Sequence, residues 1–377
     1  AVTEATRCLD CPEPGCIQGC PVSINIPSFI KNIQRGDIAG AAQVLSLSSS
    51  LPAVCGRVCP QERQCESRCI YLKMKKPAVA IGYLERYAAD TAREEKLLPP
   101  PAPVAPRGIK VAVAGSGPAG LSFAGEMARF GYDVTVFEAL HEIGGVLKYG
   151  IPEFRLPNDV VDAELDRLRA AGVKFEKDTV IGKTLSYDDL LNAGFKGVFV
   201  ASGAGLPRFM GIPGENLNGV LSSNEYLTRV NLMGAGKPGA MTPVDRGKRV
   251  VVVGGGNTAM DSVRTARRMG ADEAIIVYRR GREEMPARVE EIEHAEQEGV
   301  RLLTLHNPVA FLGDDSGHVR AVRLQRMELG EPDTSGRRSP RPVEGDVVEM
   351  PVDEVIVSLG VSPKPLINQS INGHYVT

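Results

Sequence analysis

Two copies of one short pattern constrain this chain more than anything else in it. Val111-Ala112-Val113-Ala114-Gly115-Ser116-Gly117-Pro118-Ala119-Gly120 runs from an apolar, β-rich stretch through three glycines into a helical stretch. Val250-Val251-Val252-Val253-Gly254-Gly255-Gly256-Asn257-Thr258-Ala259-Met260-Asp261 repeats the arrangement. The first glycine permits a tight turn, the second lets the backbone approach a pyrophosphate, and the third lets helix close on strand. In the second copy that third position is Ala259, a tolerable change. A helix N-terminus behind each turn presents free N–H groups and a positive dipole end to phosphate. The first copy reads as strand Ile109–Ala114, helix Gly117–Arg129 and strand Val134–Glu138. The second reads as strand Arg249–Val253, a helix to Met269 and strand Ala274–Tyr278. The predicted fold class is α/β, with two parallel-sheet, Rossmann-like domains.

The end of the second strand in each unit separates the two nucleotides. Glu138 stands at about the ~20-residue distance at which a carboxylate meets ribose hydroxyls. That suits an adenosine without a 2′-phosphate, so FAD or NAD. Gly144, Gly145 and Val146 follow closely, a second glycine pair of the kind seen in two-dinucleotide flavoproteins, which favours FAD. The other unit ends in Tyr278-Arg279-Arg280, with no acidic residue. Two guanidinium groups there bind a 2′-phosphate by charged hydrogen bonds, which favours NADP(H). Ser358, Leu359 and Gly360 close a later strand expected beside this nucleotide.

All eight cysteines lie between Cys8 and Cys69. The first group is Cys8-x2-Cys11-x4-Cys16-x3-Cys20-Pro21, the second Cys55-x3-Cys59-Pro60-x5-Cys65-x3-Cys69. A disulfide scaffold would be a small secreted domain, which this chain is not. Short spacings with proline after cysteine resemble iron–sulfur runs, in which the last cysteine often serves another cluster. The reading is two [4Fe–4S] clusters, with zinc as the runner-up, in a reducing, cytoplasmic compartment.

Composition narrows the classes. A net charge of −2 with 43% hydrophobic and 24% charged residues is ordinary for a globular chain. It opposes a nucleic-acid or membrane-surface role. No apolar run reaches the ~18 residues of a membrane span. The five histidines are scattered, and the carboxylates at 290, 291 and 293 read as a solvated helix face.

Further motifs carry a family resemblance. They are Arg7-Cys8-Leu9-Asp10-Cys11, Cys55-Gly56-Arg57-Val58-Cys59-Pro60, Gly150-Ile151-Pro152-Glu153-Phe154-Arg155-Leu156-Pro157, Gly211-Ile212-Pro213-Gly214-Glu215-Asn216 and Met285-Pro286-Ala287. With the glycine turns and Arg279-Arg280, these resemble the small (beta) subunit of NADPH-dependent glutamate synthase and its relatives. Those include the large subunit of NADH-dependent reduced ferredoxin:NADP oxidoreductase and the N-terminal half of dihydropyrimidine dehydrogenase. The resemblance spans nearly the whole chain.

The resemblance implies a ligand assignment that spacing does not. One cluster would take Cys8, Cys11, Cys16 and Glu85, the other Cys20, Cys59, Cys65 and Cys69, leaving Cys55 free. Two sequential all-cysteine sets remain the simpler alternative. It also implies that Glu138 to Val146 and Arg155 line FAD. Gly255 to Thr258, Arg279, Arg280 and Ser358 to Gly360 would line NADP(H).

The expected domains are a helical cluster domain over 1–105, an FAD domain over 106–228 plus 355–377, and an NADP(H) domain over 229–354. Pro99-Pro100-Pro101-Ala102-Pro103 is the first linker. The family closes its flavin site with a late Gly-Asp segment. Nothing after Gly360 carries it, and Ala1–Ala5 reads as the tail of a helix, so the chain reads as part of a longer one. The expected function is an oxidoreductase subunit that passes electrons between NADPH, FAD and two clusters. Its partner would be a glutamate synthase large subunit or a ferredoxin-type or flavoprotein carrier. The alternative is a non-enzymatic electron-transfer scaffold with an incomplete flavin site.

Overall fold

The structure, a computed structural model, describes residues 1–332, 334 and 336–363. The described chain divides into two compact units: 1–148 with 153–203, and 149–152 with 204–363.

The first unit opens with helices. α1 (Ile26–Gln34), α2 (Ile38–Ser48), α3 (Pro52–Val58) and α4 (Ile81–Glu94) are the longest. Ile26, Phe29, Ile30, Ile33, Leu45 and Leu84 form their shared core. α1 and α2 are separated at Arg35-Gly36-Asp37. Gly36 takes φ +78°, and Asp37 Oδ1 accepts the Gly40 N–H at 2.8 Å, capping α2. α4 starts at Ile81, and Glu4 Oε1 accepts the Ala80 N–H at 2.9 Å just ahead of it. α3 and α4 meet backbone to backbone: a Cβ on Gly56 would stand 2.7 Å from Arg86 N. No single helix among the described residues is long and apolar enough to cross a membrane, and α2 with α3 reaches that length only across an 88° bend.

After the proline-rich segment come β1 (Lys110–Ala114), α5 (Pro118–Arg129), β2 (Asp133–Phe137), α6 (Asn158–Ala170), β3 (Lys174–Glu176) and β4 (Phe195–Val200). The strands are parallel, in the order β3-β2-β1-β4.

The second unit contains β5 (Ala204–Pro207), β6 (Val220–Ser222), β7 (Arg249–Val253), α7 (Asn257–Arg268), β8 (Glu273–Tyr278), α8 (Val289–Gln297) and β9 (Arg301–Thr304). β10 (His306–Gly313), β11 (Val319–Pro332), β12 (Arg338–Pro351), β13 (Glu354–Val357) and β14 (Val361–Pro363) complete it. Its main sheet is parallel, in the order β6-β13-β7-β8-β9. The four valines of β7 show why it sits centrally. Val250 and Val252 join a core with Met260 and Ile276; Val251 and Val253 join another with Phe311 and Leu324. Alternate side chains leave opposite faces, so a strand covered on both sides is apolar throughout. The second face is covered by the antiparallel sheet β10-β11-β12.

The expected domain boundaries shift. β13 pairs with β7 and β6, so residues 220–222 and 354–357 belong to the second sheet and not to the flavin domain. The 1–105 helices and the first βαβ unit fall in one compact unit, so the proline-rich linker is not a boundary between units. Residues 364–377, the end of the expected FAD domain, lie outside the described residues.

Candidate functional site

The first glycine turn is built by close packing. Gly115 has φ +112°, and a Cβ there would lie 2.3 Å from Ala201 O. A Cβ on Gly120 would lie 2.0 Å from Gly115 O. Gly117 differs: its φ is −68°, and a Cβ would meet nothing within 4 Å. The open space is where a pyrophosphate must come, so this cradle fits a dinucleotide. Pro118 starts α5, where its missing N–H costs nothing, and Ala119 is exposed beside it.

Glu138, buried just past β2, is held by that same turn. Its Oε2 accepts Ser116 N–H at 2.8 Å and Ser116 O–H at 2.5 Å, and its Oε1 accepts Leu140 N–H at 2.9 Å. A carboxylate offers about four acceptor sites, so roughly one remains for a ribose hydroxyl. The Gly144 N–H donates to Ser116 Oγ at 2.9 Å. A Cβ on Gly145 would lie 2.8 Å from Gly117 Cα. The expected residues Gly115, Gly117, Gly120, Glu138, Gly144 and Gly145 therefore converge. Ser116, which joins them, was not singled out from the sequence; its place between two glycines was the available signal. Val146 is exposed next to the pair, and Arg155 is half-buried.

The second turn repeats the construction with different neighbours. Gly254 takes φ +147°, and a Cβ there would lie 2.3 Å from Ser358 O. A Cβ on Gly255 would lie 2.8 Å from the Tyr278 ring. Gly256 is again the open position, with Pro286 Cγ the nearest atom at 4.0 Å. Ala259 is fully buried, so its methyl is accommodated where glycine was expected. A loop over 285–288 is bound to the turn: Ala287 N–H donates to Gly255 O at 3.1 Å, and Asn257 Oδ1 accepts Arg288 N–H at 2.9 Å. Thr258 opens α7, and Ser358, Leu359 and Gly360 follow β13, with Gly360 at φ +93°.

The arginine pair separates. Arg279 is exposed at the end of β8. Arg280 is buried, and its Nε donates to Arg338 O at 2.8 Å. Arg338 Nε in turn donates to Glu284 Oε1 at 2.6 Å. Both lie in the bend that follows β8, one turned outward and the other into the protein.

The cysteines are all free thiols, with Cys65 buried and the others half-buried. Among the described residues no three His, Cys, Asp or Glu side chains close to the spacing of a single ion. A cubane cluster is wider and spreads its ligands further apart than the tetrahedral shell of zinc. Burial pushes the Cys16 thiol up to about 11 and Cys65 to about 12. Thiolates there need an adjacent cationic centre, which iron supplies. Glu85, on α4, is buried with Oε1 lacking any hydrogen bond. Burial, then Cys55 and Glu164, holds its carboxyl well above the usual range. An orphaned buried carboxylate oxygen beside thiols fits a metal-cluster ligand.

Cys16 feels the charges of Cys8 and Cys69, Cys65 those of Glu66, Glu85 and Cys20, and Glu85 those of Cys55 and Glu164. A Cβ on Gly15 would lie 2.9 Å from Arg68 O, so the turn bearing Cys16 packs on the segment leading to Cys69. Cys55 hydrogen-bonds Cys59 and lies 3.8 Å from Ser49 Oγ.

Comparison with known proteins agrees with this architecture. Residues 1–97 match the family described as dihydropyrimidine dehydrogenase domain II, 4Fe-4S cluster. Residues 109–373 match the pyridine nucleotide-disulphide oxidoreductases. The glutamate synthase [NADPH] small chain of Azospirillum brasilense is 38% identical over 97% of this chain and 76% of its own length. The NADPH-Fe(3+) oxidoreductase subunit beta of Geobacter sulfurreducens is 40% identical over 95% of this chain, which spans 52% of that protein. Mycobacterium tuberculosis FprA in complex with NADPH shares the fold at TM-score 0.56 and 21% identity, over 68% of this chain and 71% of its own. An iron–sulfur helical domain ahead of two dinucleotide-binding folds, in one continuous alignment, places this chain in the family of the glutamate synthase [NADPH] small chain.

Proposed function

We propose that this oxidoreductase passes electrons between NADPH and a partner subunit by way of FAD and two [4Fe–4S] clusters. The observation that carries the reading is the pair of open glycine positions, Gly117 and Gly256, each set in a turn closed by its other glycines or by Ala259. In this reading the Gly115–Gly120 turn, Glu138, Gly144 to Val146 and Arg155 hold FAD. Gly254 to Ala259, Arg279 and Ser358 to Gly360 hold NADPH, while Arg280 braces the site through Arg338.

The neighbourhoods support one cluster on Cys8, Cys11, Cys16 and Cys69, and the other on Cys20, Cys59, Cys65 and Glu85. Bound FAD and clusters supply the chemistry, an exchange between a two-electron hydride donor and one-electron carriers. The chain's own contribution is placement and charge. Glu138 orients the ribose, Arg279 neutralises the 2′-phosphate, and the helix N-termini at Pro118 and Asn257 face the phosphates. No general base is required of the protein. The terminal acceptor is a glutamate synthase large subunit or a ferredoxin-type carrier.

The test is an anaerobic titration of the purified complex. Flavin and iron–sulfur absorbance that bleach with NADPH support the reading. Cluster absorbance with no NADPH response refutes it and favours the scaffold alternative.

A further inference from the structure

A hollow of 210 Å³ lies among α2, α3, α4 and α6, and its wall shares no residue with either glycine turn. Ala42, Ala53, Ala89, Ala92 and Ala163 line it, so short methyls leave room that larger side chains would close. A cavity of ~150 Å³ with such a wall holds benzene, so this one has room for roughly eight non-hydrogen atoms.

Its polar groups are uneven. Ser46 Oγ is buried on the wall with no hydrogen-bond partner. An unmet buried hydroxyl is costly, and a ligand oxygen would satisfy it. Arg167 and Lys96 line the wall as well, and neither takes part in an ion pair among the described residues. Both stand near the C-terminal ends of their helices, where a cation is favoured by the dipole. That accounts for their sign, but not for the hollow or for the orphaned hydroxyl. Glu164 completes the wall, with its Oε1 accepting Ala53 N–H at 2.7 Å. Burial raises its carboxyl to about 7, so it is readily neutral beside a second anion.

We propose that this hollow binds a small monocarboxylate with a compact apolar tail, of about the size of a six-carbon fatty acid. The tail lies on the alanine wall, and the carboxylate takes Arg167, Lys96 and Ser46. The site is independent of the flavin and nicotinamide assignments.

Calorimetry on the full chain with its cofactors bound tests this, using hexanoate and hexanol as probes. Hexanoate should bind at least tenfold more tightly than hexanol, and Arg167→Gln should erase that difference. Ala163→Leu should abolish binding of both by filling the space; Ala92→Leu serves if the first variant does not fold. Equal affinity for the two probes, absence of hexanoate binding, or hexanoate binding that survives both filled variants would overturn the proposal.

Discussion

Ser116 gives both of its hydrogen-bond donors, N–H at 2.8 Å and O–H at 2.5 Å, to one oxygen of Glu138. The carboxylate proposed to meet the ribose is thus fixed by the first glycine turn itself, and a third segment joins through the Gly144 N–H. Substituting Ser116→Ala removes a charged hydrogen bond of about 1.5–3 kcal/mol and leaves Gly144 N–H unmet. FAD retention on a desalting column should fall about tenfold or more, with a lowered Tm. Unchanged retention would show that the network does not organise the site.

The glycines of the first turn should fail in different ways. Gly117→Ala has space and an ordinary φ, so the protein should fold with its Tm within a few degrees of the parent. Its flavin content should nevertheless drop sharply. Gly115→Ala and Gly120→Ala would put a methyl 2.3 Å and 2.0 Å from backbone oxygens, so expression or Tm should collapse instead. Flavin content at purification, read beside the melting curve, separates the two modes.

Arg279 and Arg280 likewise divide. Arg279→Ala should raise the KM for NADPH by about ten- to a hundredfold, the loss of one charge-assisted bond. Its KM for NADH and its Tm should be unchanged. Arg280→Ala should lower the Tm and affect both nucleotides alike, because the buried side chain holds Arg338 O. A selective NADPH defect in Arg280→Ala would reverse the assignment.

The glycine turns and the Glu138 site were legible because their information is local: each lies within one strand, one turn and the next strand. The ligand partition was not. Whether Cys69 joins Cys16 or Cys65 depends on how the chain around Arg68 returns to Gly15, and no spacing encodes that. The β10-β11-β12 layer was missed for a similar reason. Phe311 and Leu324 read as ordinary strand residues until Val251 and Val253 are seen to need cover. The partition is open to direct measurement. Cys69→Ala should remove the same electron paramagnetic resonance signal as Cys8→Ala, and Glu85→Ala the same one as Cys20→Ala. The opposite pairing would support the sets that the family resemblance implies.

Glu164 carries a pH signature. Burial raises its folded carboxyl from 4.5 to about 7. A group raised in the folded state contributes most below the unfolded value, and that contribution is lost as pH rises through the folded one. The difference in unfolding free energy between parent and Glu164→Gln should therefore change between pH 4.5 and about 7. The parent should become the less stable of the two at higher pH, by up to about 3 kcal/mol. Parallel stability curves across that window would show that Glu164 titrates normally.

The contact between Gly56 and Arg86 reaches beyond packing. α3 leads directly into Cys59, and Arg86 follows Glu85 on α4, so two groups distant in sequence are borne on backbones that touch. With Cys59 and Glu85 ligating a cluster as proposed, such a frame would resist the small ligand displacements that accompany a change of charge at a metal centre. Low reorganisation energy is what makes transfer of a single electron fast, and here it would come from a residue with no side chain.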